Sequence, residues 1–183
     1  MKFTENQPLN NHKMLLNLLT FLVCLLTLPS CGNQGRSEGM ALKDKNGLVV
    51  GVKDGDTIEM IIDGKGTTIR LKDIDCPEKK QPYGQAAKAY ASKLAYGKYA
   101  TLTDNKKKDR NGRIIATVHI GSLNLNEEMV IAGLAWHFKK YSKSMDIARL
   151  EVGARRAKRG LWAEQSPIAP WDYRKSRRKI KVF

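Results

Sequence analysis

Residues 54–78, DGDTIEMIIDGKGTTIRLKDIDCPE, decide the fold of this chain. Ile58–Ile62 and Thr67–Leu71 are two strand-length runs on either side of Asp63-Gly64-Lys65-Gly66, which predicts a β-hairpin. With a four-residue turn Ile62 faces Thr67, and Asp56 falls opposite about Asp73. Asp75 then lies two residues further along, on the same side if the strand continues. Asp56 and the segment Ile74-Asp75-Cys76-Pro77-Glu78 therefore meet at one end of the hairpin. Clustered carboxylate oxygens suit a hard cation, calcium or magnesium. The alternative is that Asp54 and Asp56 only shape a turn.

Two arginines connect that cluster to a reaction. A hard cation beside the guanidiniums of Arg70 and Arg113 suits phosphoryl chemistry, because bidentate donors hold a phosphate and offset charge on its oxygens. Glu78 is placed to activate a water. Strict alternation sets Arg70 on the face opposite Asp75, so the strand must end or bend between them. The alternative for both arginines is a surface salt bridge.

Outward from the hairpin, the pattern stays β with helical interruptions. LVVGV, from Leu48, precedes it. Residues 82–97 (PYGQAAKAYASKLAYG) predict an Ala-rich helix stopped at Gly97. A strand follows near Tyr99–Thr103, then a charged loop 104–112 (DNKKKDRNG) and a strand Arg113–Ile120. Asn124 and Asn126 with Glu127-Glu128 cap a short helix ending at Gly133. Leu134–Phe138 is a short apolar piece, and a last helix spans Ser144–Arg159 with Gly160 as its stop. Short strands interrupted by helices predict a small β-barrel with helices packed outside.

The order Asp54-Gly55-Asp56-Thr57, Ile69-Arg70-Leu71, Asp75-Cys76-Pro77-Glu78 and Asn111-Gly112-Arg113 resembles the staphylococcal nuclease (thermonuclease) family. The similarity runs from about Leu48 to Trp162 and includes AGLAW at 132–136 and RGLW at 159–162. The resemblance implies an α+β, mainly β, OB-fold five-stranded barrel with about three helices outside. It also implies a calcium-dependent phosphodiesterase acting on DNA and RNA, which breaks the P–O5′ bond and leaves 3′-phosphates. Position by position, Asp56 and Asp75 match calcium-ligand aspartates, Cys76 a residue that supplies its backbone carbonyl, and Glu78 the general base. Arg70 and Arg113 match the phosphate-binding arginines, and Asp54 an acidic residue near the metal. Arg110 matches a basic residue of the phosphate-binding loop, and Tyr141 an aromatic that contacts a base. Asn111 and Lys139 depart from the pattern, each replacing a tyrosine; Phe138 is a neighbour able to restore stacking.

Composition agrees with a polyanionic substrate. Lys and Arg number 33 against 18 Asp and Glu, a formal +15 with a pI near 9.8, which favours nucleic acid or acidic membrane. The lysines 106–108 either track a nucleic-acid backbone or form a solvated loop. The basic run 174–179 is expected to be a disordered tail adding salt-dependent affinity. His119 and His137 lack a second nearby histidine and are expected to be structural, and Trp136 and Trp162 to pack in the core or against the last helix.

The N-terminus reads as an export signal. Lys2 and Lys13 precede the apolar run LLNLLTFLVCLLTL (15–28), shorter than the ~20 residues of a membrane-spanning helix. Leu28-Pro29-Ser30-Cys31 resembles a bacterial lipobox with Cys31 as the lipidated residue. An ordinary signal peptide or a retained anchor is the alternative. The expected organisation is a signal over 1–30, a polar tether over 31–47, the nuclease-like domain over 48–165 and a basic tail over 166–183. Gly32 and Asn33 fit the outer membrane of a Gram-negative cell. Loss of Cys24 and lipidation of Cys31 leave Cys76 alone in the domain, which excludes an internal disulfide and a multi-cysteine zinc site. No obligate protein partner is expected. Two rival functions remain: a non-catalytic OB-fold module binding single-stranded nucleic acid, and a basic membrane-surface protein.

Overall fold

The computed structural model describes residues 44–180, with side chains to Arg178. The export signal, Cys31 and most of the tether lie outside the described residues. Strands β1 (Lys45–Asp54), β2 (Thr57–Ile62) and β3 (Lys65–Leu71) form a meander, followed by the two-residue β4 (Ile74–Asp75) and helix α1 (Gly84–Ala95). Then come β5 (Tyr99–Lys108), β6 (Ile114–Ile120), the short β7 (Leu123–Asn124), α2 (Leu125–Ile131) and β8 (Trp136–His137). Helix α3 (Met145–Arg156), a 3-10 turn (Gly160–Ala163) and α4 (Pro170–Ile180) complete the order. The sheet runs β3-β2-β1-β5-β6, and parallel pairing of β3 with β6 joins its ends into a closed five-stranded barrel. Closure removes the exposed edges that an open sheet would present.

Alternation fills the barrel. Val49, Ile58, Met60, Ile69, Leu102 and Val118 are completely buried. Ala87, Ala91 and Ala95 recur at helical spacing on α1 and are equally buried; small side chains bring this helix close against the barrel wall. The Asn124 side chain accepts hydrogen bonds from the backbone of Asn126 and Glu127, capping α2 as its sequence predicts.

Four points differ from expectation. The β2–β3 turn is two residues, Asp63-Gly64, with φ of 49° and 73°, and Ile62 pairs with Lys65, not Thr67. Positive φ at both turn positions matches the twist of the flanking strands, so the short turn wins over the four-residue one. Second, β5 continues to Lys108, so 106–108 are strand residues beyond a register shift. Third, β1 begins at Lys45, ahead of the expected domain start. Fourth, 170–180 are helical where a disordered tail is expected, which makes four helices among the described residues. Pro170 opens α4 with Asp172 in its first turn, where a missing N–H costs nothing and a carboxylate meets the helix dipole favourably.

Candidate active site

The corrected register assembles the site. Thr57 pairs with Arg70, and Arg70 with Ile115 across the parallel β3–β6 contact. Arg113, immediately before β6, is thereby delivered to the same end of the barrel as Arg70. After Leu71 the chain turns through Asp73, whose φ of 68° breaks the strand. This is the bend that the Arg70–Asp75 problem requires. Beyond it, Ile74 and Asp75 pair with His137 and Trp136, while Phe138 N–H donates to the Asp73 carbonyl at 2.9 Å. Buried Asn126 fastens the turn from beneath: its Nδ2 donates to the Lys72 carbonyl (2.9 Å), and its Oδ1 accepts from Val118 N–H (3.0 Å).

Asp56 is 2% exposed and Asp75 0%. Burying two carboxylates is tolerable only with charge partners and full hydrogen bonding. Arg70 supplies both: Nη1 pairs with Asp56 Oδ1, and Nη2 with Asp75 Oδ1 at 2.6 Å. Asp56 Oδ2 accepts the Cys76 N–H at 2.6 Å, and Asp56 N–H donates to Asp54 Oδ1 at 3.2 Å. Arg113 is held by an aspartate turn. Asp109 accepts from the backbone N–H of Asn111 and Arg113 and from Arg113 Nε at 2.7 Å. Burial opposes its ionisation, but the hydrogen bonds from Arg113 and Asn111 prevail and hold its carboxyl below the usual range. Arg113 Nη1 also donates to Thr57 Oγ1 at 3.3 Å, beside the Asp56–Arg70 pair.

A third guanidinium arrives from α4. Arg174 Nη2 donates to Asp75 Oδ2 and Nη1 to Glu78 Oε1, each at 2.7 Å. Burial opposes the charge on Arg174, yet its bonds to Asp75 and Glu78 raise its affinity for the proton above the ordinary arginine value. The helix is anchored on the loop that carries Glu78. Gln81 Oε1 accepts Glu78 N–H (3.1 Å), Gln81 Nε2 donates to the Ile168 carbonyl (2.7 Å), and Tyr173 OH donates to the Lys80 carbonyl (3.0 Å).

Thus Asp56, Asp75, Cys76, Glu78, Arg70 and Arg113 converge. The Cys76 thiol is buried against Gly55 and Ala87, and burial, foremost among its causes, pushes its pKa well above the ordinary value. A thiol so held is a poor nucleophile. Arg110 and Tyr141 lie apart from the carboxylates: both line a cleft between 136–141 and α4, whereas Asn111 and Arg113 line a separate groove with Lys53 and Lys108. Lys139 pairs with Glu151 Oε2 at 3.3 Å. Phe138 stacks on Trp171, with ring centroids 5.5 Å apart and planes 7° from parallel. His137 Nε2 shares a hydrogen bond with Ser142 Oγ, and His119 Nε2 one with Thr103 Oγ1, as structural histidines do. Trp136 and Trp162 meet edge to face at 4.5 Å, with Arg155 over both rings. Asp109, Asn126, Gln81 and Arg174 are site-forming residues that sequence reasoning missed. Asp109 had a local signal, an aspartate two and four residues before Asn111 and Arg113; Arg174 had none beyond its charge.

The donor chemistry fits a divalent cation. Asp56, Asp75 and Glu78 pair with Arg70 and Arg174, a formal excess of one negative charge, and all three present hard oxygens. Among the described residues no three His, Cys, Asp or Glu side chains are arranged as a ready metal cluster, and the two guanidiniums occupy carboxylate oxygens of Asp56, Asp75 and Glu78.

The family model for staphylococcal nuclease homologues matches residues 68–164. An uncharacterized endonuclease of Escherichia coli is 42% identical over 132 residues, covering 72% of this chain and 86% of the relative. An uncharacterized endonuclease of Haemophilus influenzae is 36% identical over 167 residues, 91% of this chain and 89% of the relative. The staphylococcal-like nuclease CAN1 of Arabidopsis thaliana is 38% identical over 110 residues, 60% of this chain and 34% of the relative.

Proposed function

From its membership of the staphylococcal nuclease family, we propose that this chain is a calcium-dependent phosphodiesterase hydrolysing DNA and RNA. The observation that carries the reading is Arg70 bridging two buried aspartates, with Arg113 beside it and Glu78 at the rim. A purely structural role needs no second arginine fixed by its own aspartate turn.

In this reading Asp56 and Asp75, with the Cys76 carbonyl, hold the cation, which adds charge stabilisation at the phosphate when bound. Arg70 and Arg113 donate to the non-bridging phosphate oxygens. Glu78, with its side chain 40% exposed, takes a proton from the attacking water as oxygen bonds to phosphorus. The P–O5′ bond breaks, and the O5′ oxygen takes a proton from solvent water, yielding a 3′-phosphate and a 5′-hydroxyl, while Glu78 returns its proton to solvent. Arg174 must release Glu78, or turn it, before that carboxylate can act as a base. Arg110 and Tyr141 contact substrate further along the cleft. The basic surface and the apolar leader fit an exported protein anchored through Cys31 to the cell envelope, the outer membrane of a Gram-negative cell.

The deciding experiment is digestion of plasmid DNA and of RNA with calcium or with a chelator. Calcium-dependent cleavage, reduced about 100-fold or more in Arg113→Ala, supports the enzyme. Binding without cleavage supports the non-catalytic module.

A further inference from the structure

Helix α4 lies beyond the stretch that the family model covers, yet its Arg174 reaches into the carboxylate cluster at the barrel end. Nη2 donates to Asp75 Oδ2 and Nη1 to Glu78 Oε1, each at 2.7 Å, and Nη1 also lies 3.3 Å from Asp75 Oδ1. Arg70 holds Asp75 Oδ1 from the other side. Both oxygens of a completely buried carboxylate are thus taken by guanidiniums, one of them delivered from outside the barrel. Bridging neighbouring carboxylates is also what a hard divalent cation does, so Arg174 stands on donor atoms that such an ion would use.

Charge decides whether ion and guanidinium can share them. Asp56, Asp75 and Glu78 with Arg70 and Arg174 carry one formal negative charge. A divalent cation added to that set leaves one positive charge around two carboxylates sealed from solvent. The same cation in place of Arg174 brings the set to neutrality. Uncompensated buried charge is costly, so exchange is favoured over addition. Arginine keeps its proton in proteins, so only a competing charge frees these oxygens. The attachment of α4 suits an exchange. Pro170 is buried, but no residue from Trp171 to Arg178 is. Apart from Arg174, the helix is held by ring contacts of Trp171 with Phe138 and Trp136 and by the Tyr173 hydroxyl on the Lys80 carbonyl. The Arg174 side chain is one-third exposed and lines the cleft of about 710 Å³ between α4 and 136–141, which gives a displaced guanidinium a path into water.

We propose that Arg174 is a built-in competitor of the divalent cation: α4 seats its guanidinium on Asp75 and Glu78, and the cation must displace it to complete the site. This device rests on the phosphodiesterase reading of the site and adds its regulation. With the guanidinium seated, Asp75 Oδ2 and Glu78 Oε1 are engaged, and the site is held off. With it displaced, Asp75 is open to ligation and Glu78 faces water. The cation concentration at which the site fills is therefore set by α4, through the fraction of molecules whose Arg174 is unseated.

The test is calorimetric titration of calcium chloride into full-length protein in detergent micelles, with no nucleic acid present. If Arg174 is seated in about nine molecules of ten, Arg174→Ala tightens apparent calcium binding about tenfold. Arg174→Lys, a point charge that cannot fork onto two carboxylates, should fall between that variant and the wild type. Lys175 is a neighbouring charge with no ion pair to Asp75 or Glu78, and Lys175→Ala should change the affinity less than about twofold at physiological salt. Equal calcium affinity in the wild type and Arg174→Ala overturns the proposal. So does a Lys175→Ala effect as large as that of Arg174→Ala, which is the signature of net charge alone, and so does the absence of calcium binding in all the proteins. Should Arg174→Ala fail to fold, Arg174→Lys carries the decision: tighter binding supports the competitor and unchanged binding overturns it. If Arg174→Ala binds calcium more tightly but neither it nor the wild type cleaves plasmid DNA or RNA, the phosphodiesterase reading falls and the competitor stands. If both cleave with calcium but bind it equally, the competitor alone falls.

Discussion

Replacing Arg70 with alanine measures how far the barrel end depends on its guanidiniums. Asp56 and Asp75 are both essentially sealed from solvent, and removing one partner of a buried pair costs about 3–5 kcal/mol. The lower end applies here. Asp56 keeps the Cys76 N–H and the Thr57 hydroxyl, and Asp75 keeps Arg174. A loss of about 3 kcal/mol lowers the melting temperature of a domain this size by roughly 10 °C. Arg174→Ala should cost only ~1 kcal/mol, since Arg174 is one-third exposed and Asp75 retains Arg70. The double variant removes every cation from Asp75, so its loss should exceed the sum of the two by ~1–3 kcal/mol. Thermal melts of the full-length protein and the three variants, in chelator at neutral pH, supply the cycle. An Arg70→Ala melt within roughly 2 °C of the wild type, or strict additivity in the cycle, would refute the reasoning.

Cys76→Ala should leave nuclease activity within about twofold, because the site uses only the backbone of that residue; thiol reagents should be equally without effect on the native fold. Gly84→Ala should lower both activity and melting temperature, since its Cβ would sit 1.9 Å from the Glu78 carbonyl oxygen and displace the loop carrying the proposed base; the native activity in this variant would contradict the packing. Burial lowers the pKa of His137 below its ordinary value of 6.5, with Lys139 adding to that effect and Glu151 opposing it. The unfolded chain then binds a proton that the folded one refuses, so this contribution is complete above pH ~6.5 and is lost as pH falls through the lower folded value. Urea midpoints between pH 7 and 5 should fall less steeply in His137→Gln than in the wild type.

The hairpin and its acidic end were legible because Asp56, Arg70, Asp75 and Glu78 lie within one short stretch, where strand alternation and turn chemistry act locally. The register was off because Lys65-Gly66 reads as turn, whereas positive φ at Asp63 and Gly64 closes the hairpin two residues earlier. The extension of β5 was hidden by three lysines, poor strand formers that pairing with β6 overrides. Arg174 was illegible for a different reason. It reaches Asp75 across 99 residues of sequence and stands among other cations, and net charge cannot single out one arginine. Pro170-Trp171-Asp172 did carry a helix-start signal, but a basic run read as solvated tail conceals it.

The tight turn at Asp63-Gly64 has a practical use. Lys65 and Gly66 are exposed, and Gly64 has open space around it. Arg70 lies five residues beyond Lys65, roughly 17 Å along the strand. An inserted tag or fluorophore therefore belongs at Asp63-Gly64 rather than at Gly66, which lines the groove that also holds Arg113; the six β2–β3 pairs below the turn hold the register.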